Sequence, residues 1–149
     1  MDEPTHLVEF ETMLLGRYTI NQRYRRGGTR LDRSAYLLLS RLVIDGPMSI
    51  GELSDAFGLD VSTLNRQTAA LLRADLVERI PDPHGGMARK FRITSHGEQR
   101  LDGERAANIE GLQQVMREWS PEDVAAFANY LKRLNIDIER LDGRPWPRP

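Results

Sequence analysis

Between Val61 and Ala74 the chain carries Ser62, Thr63, Asn65, Arg66, Gln67 and Arg73, and no acidic residue. Hydroxyl, amide and guanidinium groups at this spacing attract anions and exchange hydrogen bonds; they are not a set that breaks covalent bonds. A guanidinium can grip two acceptors on a guanine edge, and an amide can pair with adenine in the same two-point way. Hydroxyls at a helix start can meet phosphate oxygens together with backbone N–H groups. On that chemistry Arg66 is a guanine reader, Asn65 or Gln67 an adenine reader, and Ser62 and Thr63 phosphate ligands. Arg73 lies on the same face two turns after Arg66. A polar outer face is also what any solvated helix shows, so this stretch alone leaves both readings open.

The groups that catalysis or a metal would need are scattered or missing. His6, His84 and His96 fall in three separate elements, and none begins an HExxH ligand spacing. There is no GxSxG, no phosphate-binding glycine loop and no carboxylate pair tied to a histidine. The chain has no cysteine, which excludes disulfides, thiolate zinc sites and thiol redox chemistry and suits a reducing cytoplasm. No cofactor, no metal and no enzymatic activity are expected.

With 149 residues, 40% hydrophobic and 29% charged, the chain suits one core-forming domain with a helical extension. A net charge of -1 gives no global pull toward nucleic acid, but charge is unevenly distributed. Arg17, Arg23, Arg25, Arg26, Arg30, Arg33 and Arg41 face Asp32 alone, while acids gather at the start and in the C-terminal third. The richest apolar run, AYLLLSRLVI, is broken by Ser40 and Arg41 and is too short for a bilayer. MDEPTHLVEF lacks a signal-peptide pattern, so a cytoplasmic protein with no membrane partner is expected.

Apolar spacing then gives the elements that must hold the polar face. Leu7, Phe10, Leu14 and Tyr18 predict a helix over 5–26, stopped by Gly27-Gly28. Asp32 or Ser34 caps a second helix with Ala35, Leu38, Leu39, Leu42 and Val43 inward, ended by Gly46-Pro47. Ser49 caps a third, closed by Gly58. A fourth begins at Asp60 or Ser62 and buries Val61, Leu64, Thr68, Leu71 and Leu72. Two helices joined by so short a turn form a helix-turn-helix, whose second member stands clear of the body.

After Asp75 the apolar period changes from helical to alternating. Leu76–Ile80 and Lys90–Thr94 read as strands of a hairpin around PDPHGGMAR. The hairpin carries Arg79, Arg89, Lys90 and Arg92, with Phe91 and Ile93 on the opposite side. A basic edge strand also guards against aggregation, but a basic hairpin directly after a helix-turn-helix favours DNA. Ser95-x-x-Glu98 resembles a capping box opening a fifth helix with Leu101, Ile109, Leu112, Met116 and Trp119. SPED at 120–123 opens a sixth, whose Val124, Phe127, Leu131, Leu134, Ile138 and Leu141 step by threes and fours. The fold class expected is mainly α with a small β-wing.

These segments together, LDRSAYLLLSRL, SIGELSDAFGLDVSTLNRQTAALLRADLVERIPDP and FRITSHGEQRL, resemble the multiple-antibiotic-resistance regulator (MarR) family of bacterial winged-helix proteins. The motifs cover about 31–101 and the helix order nearly the whole chain. The resemblance implies a dimer on a near-palindromic operator, acting as a repressor and releasing DNA on binding a small aromatic ligand. By position, Ser62, Thr63 and Arg66 match recognition-helix contacts, and Arg89 lies near the wing contacts. Two departures stand out. Gly85-Gly86 replaces an acid and arginine at the wing tip, and Asp75 stands where glycine is common, a position aspartate tolerates in left-handed backbone.

The implied organisation is a winged helix-turn-helix over 31–100, dimerisation helices over 5–26 and 101–141, and a flexible tail at 142–149. A homodimer is also expected from the residues themselves, because Leu131, Leu134, Ile138 and Leu141 would face solvent in a monomer. Partners expected are double-stranded DNA with an inverted repeat, a second copy and a small-molecule effector, for which Tyr18, Tyr36 and Trp119 are candidate lining residues. The alternative is a winged-helix interaction module that has lost specific DNA binding.

Overall fold

The structure is a computed structural model that describes residues 3–17 and 31–149. Helix α1 spans Thr5–Arg17, α2 Arg33–Asp45, α3 Ile50–Phe57 and α4 Val61–Arg73. Strands β1, Val77–Ile80, and β2, Lys90–Ile93, follow, then the long helices α5, Ser95–Val115, and α6, Pro121–Asp142. The mostly helical fold with a small β-wing is the one expected. The stretch of the first helix beyond Arg17, Tyr18, the Gly27-Gly28 stop, and Arg23, Arg25, Arg26 and Arg30 lie outside the described residues.

Local chemistry accounts for most boundaries. Asp32 caps α2, its carboxylate accepting from the Ala35 N–H at 2.8 Å and from the Ser34 hydroxyl at 2.8 Å. Those donors, the Ala35 amide first, hold the Asp32 carboxyl below its ordinary value. At α3 a full capping box closes: the Glu52 N–H donates to Ser49 Oγ and the Ser49 N–H to Glu52 Oε1, at 3.1 and 3.2 Å. Gly58 ends α3 in left-handed backbone, φ 63°, a conformation that costs glycine nothing. Ser54 Oγ donates to the Leu59 carbonyl at 2.6 Å and ties the turn that follows.

The hairpin register pairs Val77 with Ile93 and Ile80 with Lys90. Met48 and Phe91 add an isolated antiparallel bridge, their amides and carbonyls exchanging bonds of 2.8 and 3.1 Å. The segment before α3 therefore holds the wing against the helix-turn-helix. Leu38, Leu39, Leu42, Leu53, Leu64, Leu71, Val77, Phe91 and Leu101 form one buried cluster beneath both.

Three local expectations need correction, the first being Val43, expected inward on α2 but 48% exposed. Val61 is 49% exposed; as the first residue of α4 it sits before the helix turns its inner face to the core. Leu64, Thr68 and Leu71 are buried as expected. The cap of α5 is Thr94, not Ser95: Thr94 Oγ1 accepts from the Gly97 N–H at 2.9 Å and donates to the Asp75 carbonyl at 2.7 Å. Gly97 is there because a Cβ would collide with the Leu76 carbonyl oxygen. The tail at 142–149 has no regular structure after Gly143 and makes the contacts described below.

Asp75, in the turn before β1, has φ 60°, the left-handed conformation expected of it. No helix among the described residues is long and apolar enough to cross a membrane.

Candidate nucleic-acid interface

Leu64, Thr68 and Leu71 anchor α4 in the core, and this sets which residues turn outward. Thr68 is inward because its hydroxyl donates to the Leu64 carbonyl one turn back, at 2.7 Å. Ser62, Asn65, Arg66 and Arg73 are exposed, while Thr63 and Gln67 are half-buried on the flanks. Arg66 Nη2 donates to Thr63 Oγ1 at 3.3 Å, which lays the guanidinium along the helix face. Asp60 precedes α4 but makes no side-chain cap bond. The first-turn amides, which an α-helix cannot satisfy internally, therefore take no acceptor from it.

Arg66 and Gln67 also border a cleft of about 300 Å³ against Leu31, Asp32, Ser34 and Ala35 at the start of α2. Of the helix residues singled out by the sequence, the cleft brings together Arg66 and Gln67.

The wing residues divide. Arg89 is exposed and meets no acid among the described residues. Lys90 does not join it: its ammonium lies 3.0 Å from Glu52 and 3.8 Å from Asp82, with the side chain 14% exposed. Its bond to Glu52 lowers the glutamate's pKa and raises the lysine's. Lys90 is therefore a strut between α3 and the wing, which corrects its expected place among free cationic contacts. Arg92 is paired across the hairpin with Glu78, and Arg79 packs over the Phe91 ring at 5.7 Å. Of the basic hairpin, Arg89 is the cation left for another molecule.

The glycine tip is ordered by Asp82, whose carboxylate accepts from the His84 N–H at 2.8 Å and whose carbonyl accepts from the Gly85 N–H at 3.0 Å. A Cβ on Gly86 would collide with Asp82 Oδ2, so a side chain there requires the Asp82 carboxylate to move. Met87, next along, is 103% exposed. Sequence reasoning passed over it, although an apolar residue after two glycines in a polar loop is a legible signal.

A helix pair with its second helix held outward, acid-free on that side and buttressed by a hairpin, defines a winged helix-turn-helix transcriptional regulator. Residues 31–84 match the model of the MarR family. The uncharacterized HTH-type transcriptional regulator YxaD of Bacillus subtilis (strain 168) is 38% identical over 134 residues, 89% of this chain and 93% of that protein. A MarR family protein from Bacillus stearothermophilus superposes with a TM-score of 0.73 at 23% identity, over 93% of this chain and 99% of that one. A mutant MarR from E. coli, solved in complex with operator DNA, superposes at 0.61 with 16% identity, over 90% and 99%.

The chain belongs to the MarR family, and it is a DNA-binding regulator and not an enzyme.

Proposed function

We propose that the protein is a homodimer that binds an inverted-repeat operator, seating the outer face of α4 in the major groove once per protomer. The observation that carries this reading is the exposed, acid-free side of α4 with Arg66 and Arg73 outward. Arg66 reads guanine, Asn65 or Gln67 reads adenine, and Ser62 and Thr63 hold phosphate at the helix start. Arg89 meets the backbone beside the wing, with Met87 at the tip facing the minor groove. The operator complex of the E. coli relative supports the mode of binding.

The second copy is supported by α1 and α6, neither of which has a buried residue, although Leu7, Phe10, Leu134, Ile138 and Leu141 lie on them. Two-fold pairing sets the recognition helices about 34 Å apart, one turn of DNA. We further infer a cytoplasmic repressor of a nearby operon, released by a small effector of the aromatic kind that the resemblance implies. Such an effector acts by preferring the arrangement unable to span both half-sites. Of the candidate lining residues, Tyr36 packs against the core, and Trp119 packs on Phe127 at 5.6 Å. Both contacts serve packing, and neither argues for a ligand.

The competing reading, an interaction module, draws on the glycine wing tip with its missing arginine. Selection of bound sequences from random DNA at a stated salt concentration separates the two. A regulator enriches one inverted repeat, and its binding weakens as salt rises because phosphate counterions are released. An interaction module enriches none.

A further inference from the structure

The segment that follows α6 does not hang free. Gly143 leaves the helix in left-handed backbone, φ 74°, and turns the chain back toward the helix-turn-helix. Arg144 Nε donates to the Asp55 carbonyl at 3.2 Å, and its guanidinium lies over Gly58, where a Cβ would sit 2.8 Å from Cζ. Trp146 sets its ring edge-on to Phe57 with centroids 5.6 Å apart and an angle of 79°. From the side of α2, the Arg41 guanidinium lies 5.0 Å from the Trp146 ring, a cation–π contact.

Glu139 locks the turn from α6. Its carboxylate accepts from the Trp146 N–H at 2.6 Å and from both Arg148 Nη atoms at 2.6 and 2.9 Å. Pro145 and Pro147 flank the tryptophan and fix its approach, since each ring fixes φ.

Apart from Glu139 and Asp142 on α6 itself, the groups that receive this segment lie in the last part of α2 or α3, or in the turn into α4. Only Leu59 and Asp60 separate the Gly58 contact from the first residue of the recognition helix. The segment therefore ties the C-terminal end of α6, a helix with no buried residue, to the turn that aims α4. Without it, the covalent route from α4 to α6 runs through the wing and the length of α5.

We propose that residues 143–149 are a latch that fixes the recognition helix relative to α6 and so sets the operator spacing a dimer accepts. Trp146 and Arg144 are its positioning residues. The proposal rests on the dimeric operator-binding reading above. A latched pair holds its two reading faces at one separation. An unlatched pair keeps both faces but holds the second less often within reach of its half-site, which lowers the effective concentration of that second contact.

The test runs the random-DNA selection on the full chain and on Trp146→Ala, Trp146→Phe and Glu139→Gln, with thermal melting of each. Expected for the full chain is one inverted repeat at one half-site spacing. Trp146→Ala should enrich the same half-sites at several spacings and bind the parent operator about tenfold more weakly. It should bind an isolated half-site within about twofold of the parent. Trp146→Phe should restore the single spacing, and Glu139→Gln should broaden it less than Trp146→Ala.

A Trp146→Ala protein that keeps the single spacing and the parent affinity overturns the latch and leaves the operator reading standing. One that melts as the parent does but loses half-site binding also overturns it, because the segment then acts on the reading face itself. A full chain that enriches no inverted repeat overturns the operator reading and the latch together.

Discussion

The winged unit and the long helices spend their apolar residues differently. In the first, Leu39, Leu53 and Leu64 are 0% exposed and α2, α3, α4 and the hairpin close over one core. In the second, α1 and α6 bury nothing, and Leu134 and Ile138 are 42% and 54% exposed along one seam. One region is complete within a single chain, while the other has the sequence of a packed helix seam whose leucines and isoleucine stay exposed. Burial of an apolar side chain stabilises by about 1.5–3 kcal/mol, so a seam left open forgoes several such gains. On the dimeric reading proposed above, folding belongs to the winged unit and assembly to the helices.

The largest expected effect comes from breaking the open seam. Leu134→Asp should halve the mass seen by light scattering and weaken operator binding by roughly a hundredfold or more, since a monomer loses the second contact. Its far-UV circular dichroism should keep most of the helix signal; an unchanged dimer mass would contradict the division drawn here. Leu53→Ala attacks the closed region instead. It should cost about 2–5 kcal/mol in denaturant unfolding, the usual range for an emptied leucine site, and a loss below about 1 kcal/mol would mean that this core is not what holds the unit.

Arg66→Ala probes the outer face alone. We expect about 1–3 kcal/mol lost in operator binding, with specificity relaxed at one base and no change in dimer mass or melting. Equal losses on specific and random DNA would make Arg66 a phosphate ligand instead of a base reader.

The smallest effect concerns the contact between the two regions. Bonds from Arg148 first, and from the Trp146 amide, lower the Glu139 carboxyl from the ordinary 4.5 to about 2. A depressed carboxylate contributes its full stabilisation above its ordinary value and loses it as pH falls toward the folded one. The other charges of this stretch pair among themselves, Arg140 with Asp137 and Arg144 with Asp142. In a Trp119→Phe background, Trp146 fluorescence should stay constant down to about pH 4.5 and change between there and about pH 2. The same change in Glu139→Gln would show that another group is responsible.

Much of the closed region was legible because its signals are local. Ser49 and Glu52 form their box three residues apart, Gly46 and Gly58 stop helices where they stand, and Asp75 takes the left-handed turn. The exposed side of α4 followed from the spacing of Leu64, Thr68 and Leu71. What escaped is what distance in the chain conceals. Lys90 looked like a free wing cation because Glu52, which holds it, comes 38 residues earlier. The contacts of the proline-rich tail were hidden because Asp55, Phe57 and Arg41 lie far back in sequence. Val61 was misjudged at a helix start, where periodicity does not say which turn first meets the core.

Methylation interference on the enriched operator puts the central claim to its most direct trial, because N7-methylated guanine blocks contacts in the major groove. The account predicts two interfering patches on one face of the duplex, about 10 base pairs apart, with the patch at each half-site weakened in Arg66→Ala. A single patch, or interference unaffected by Arg66→Ala, would contradict it.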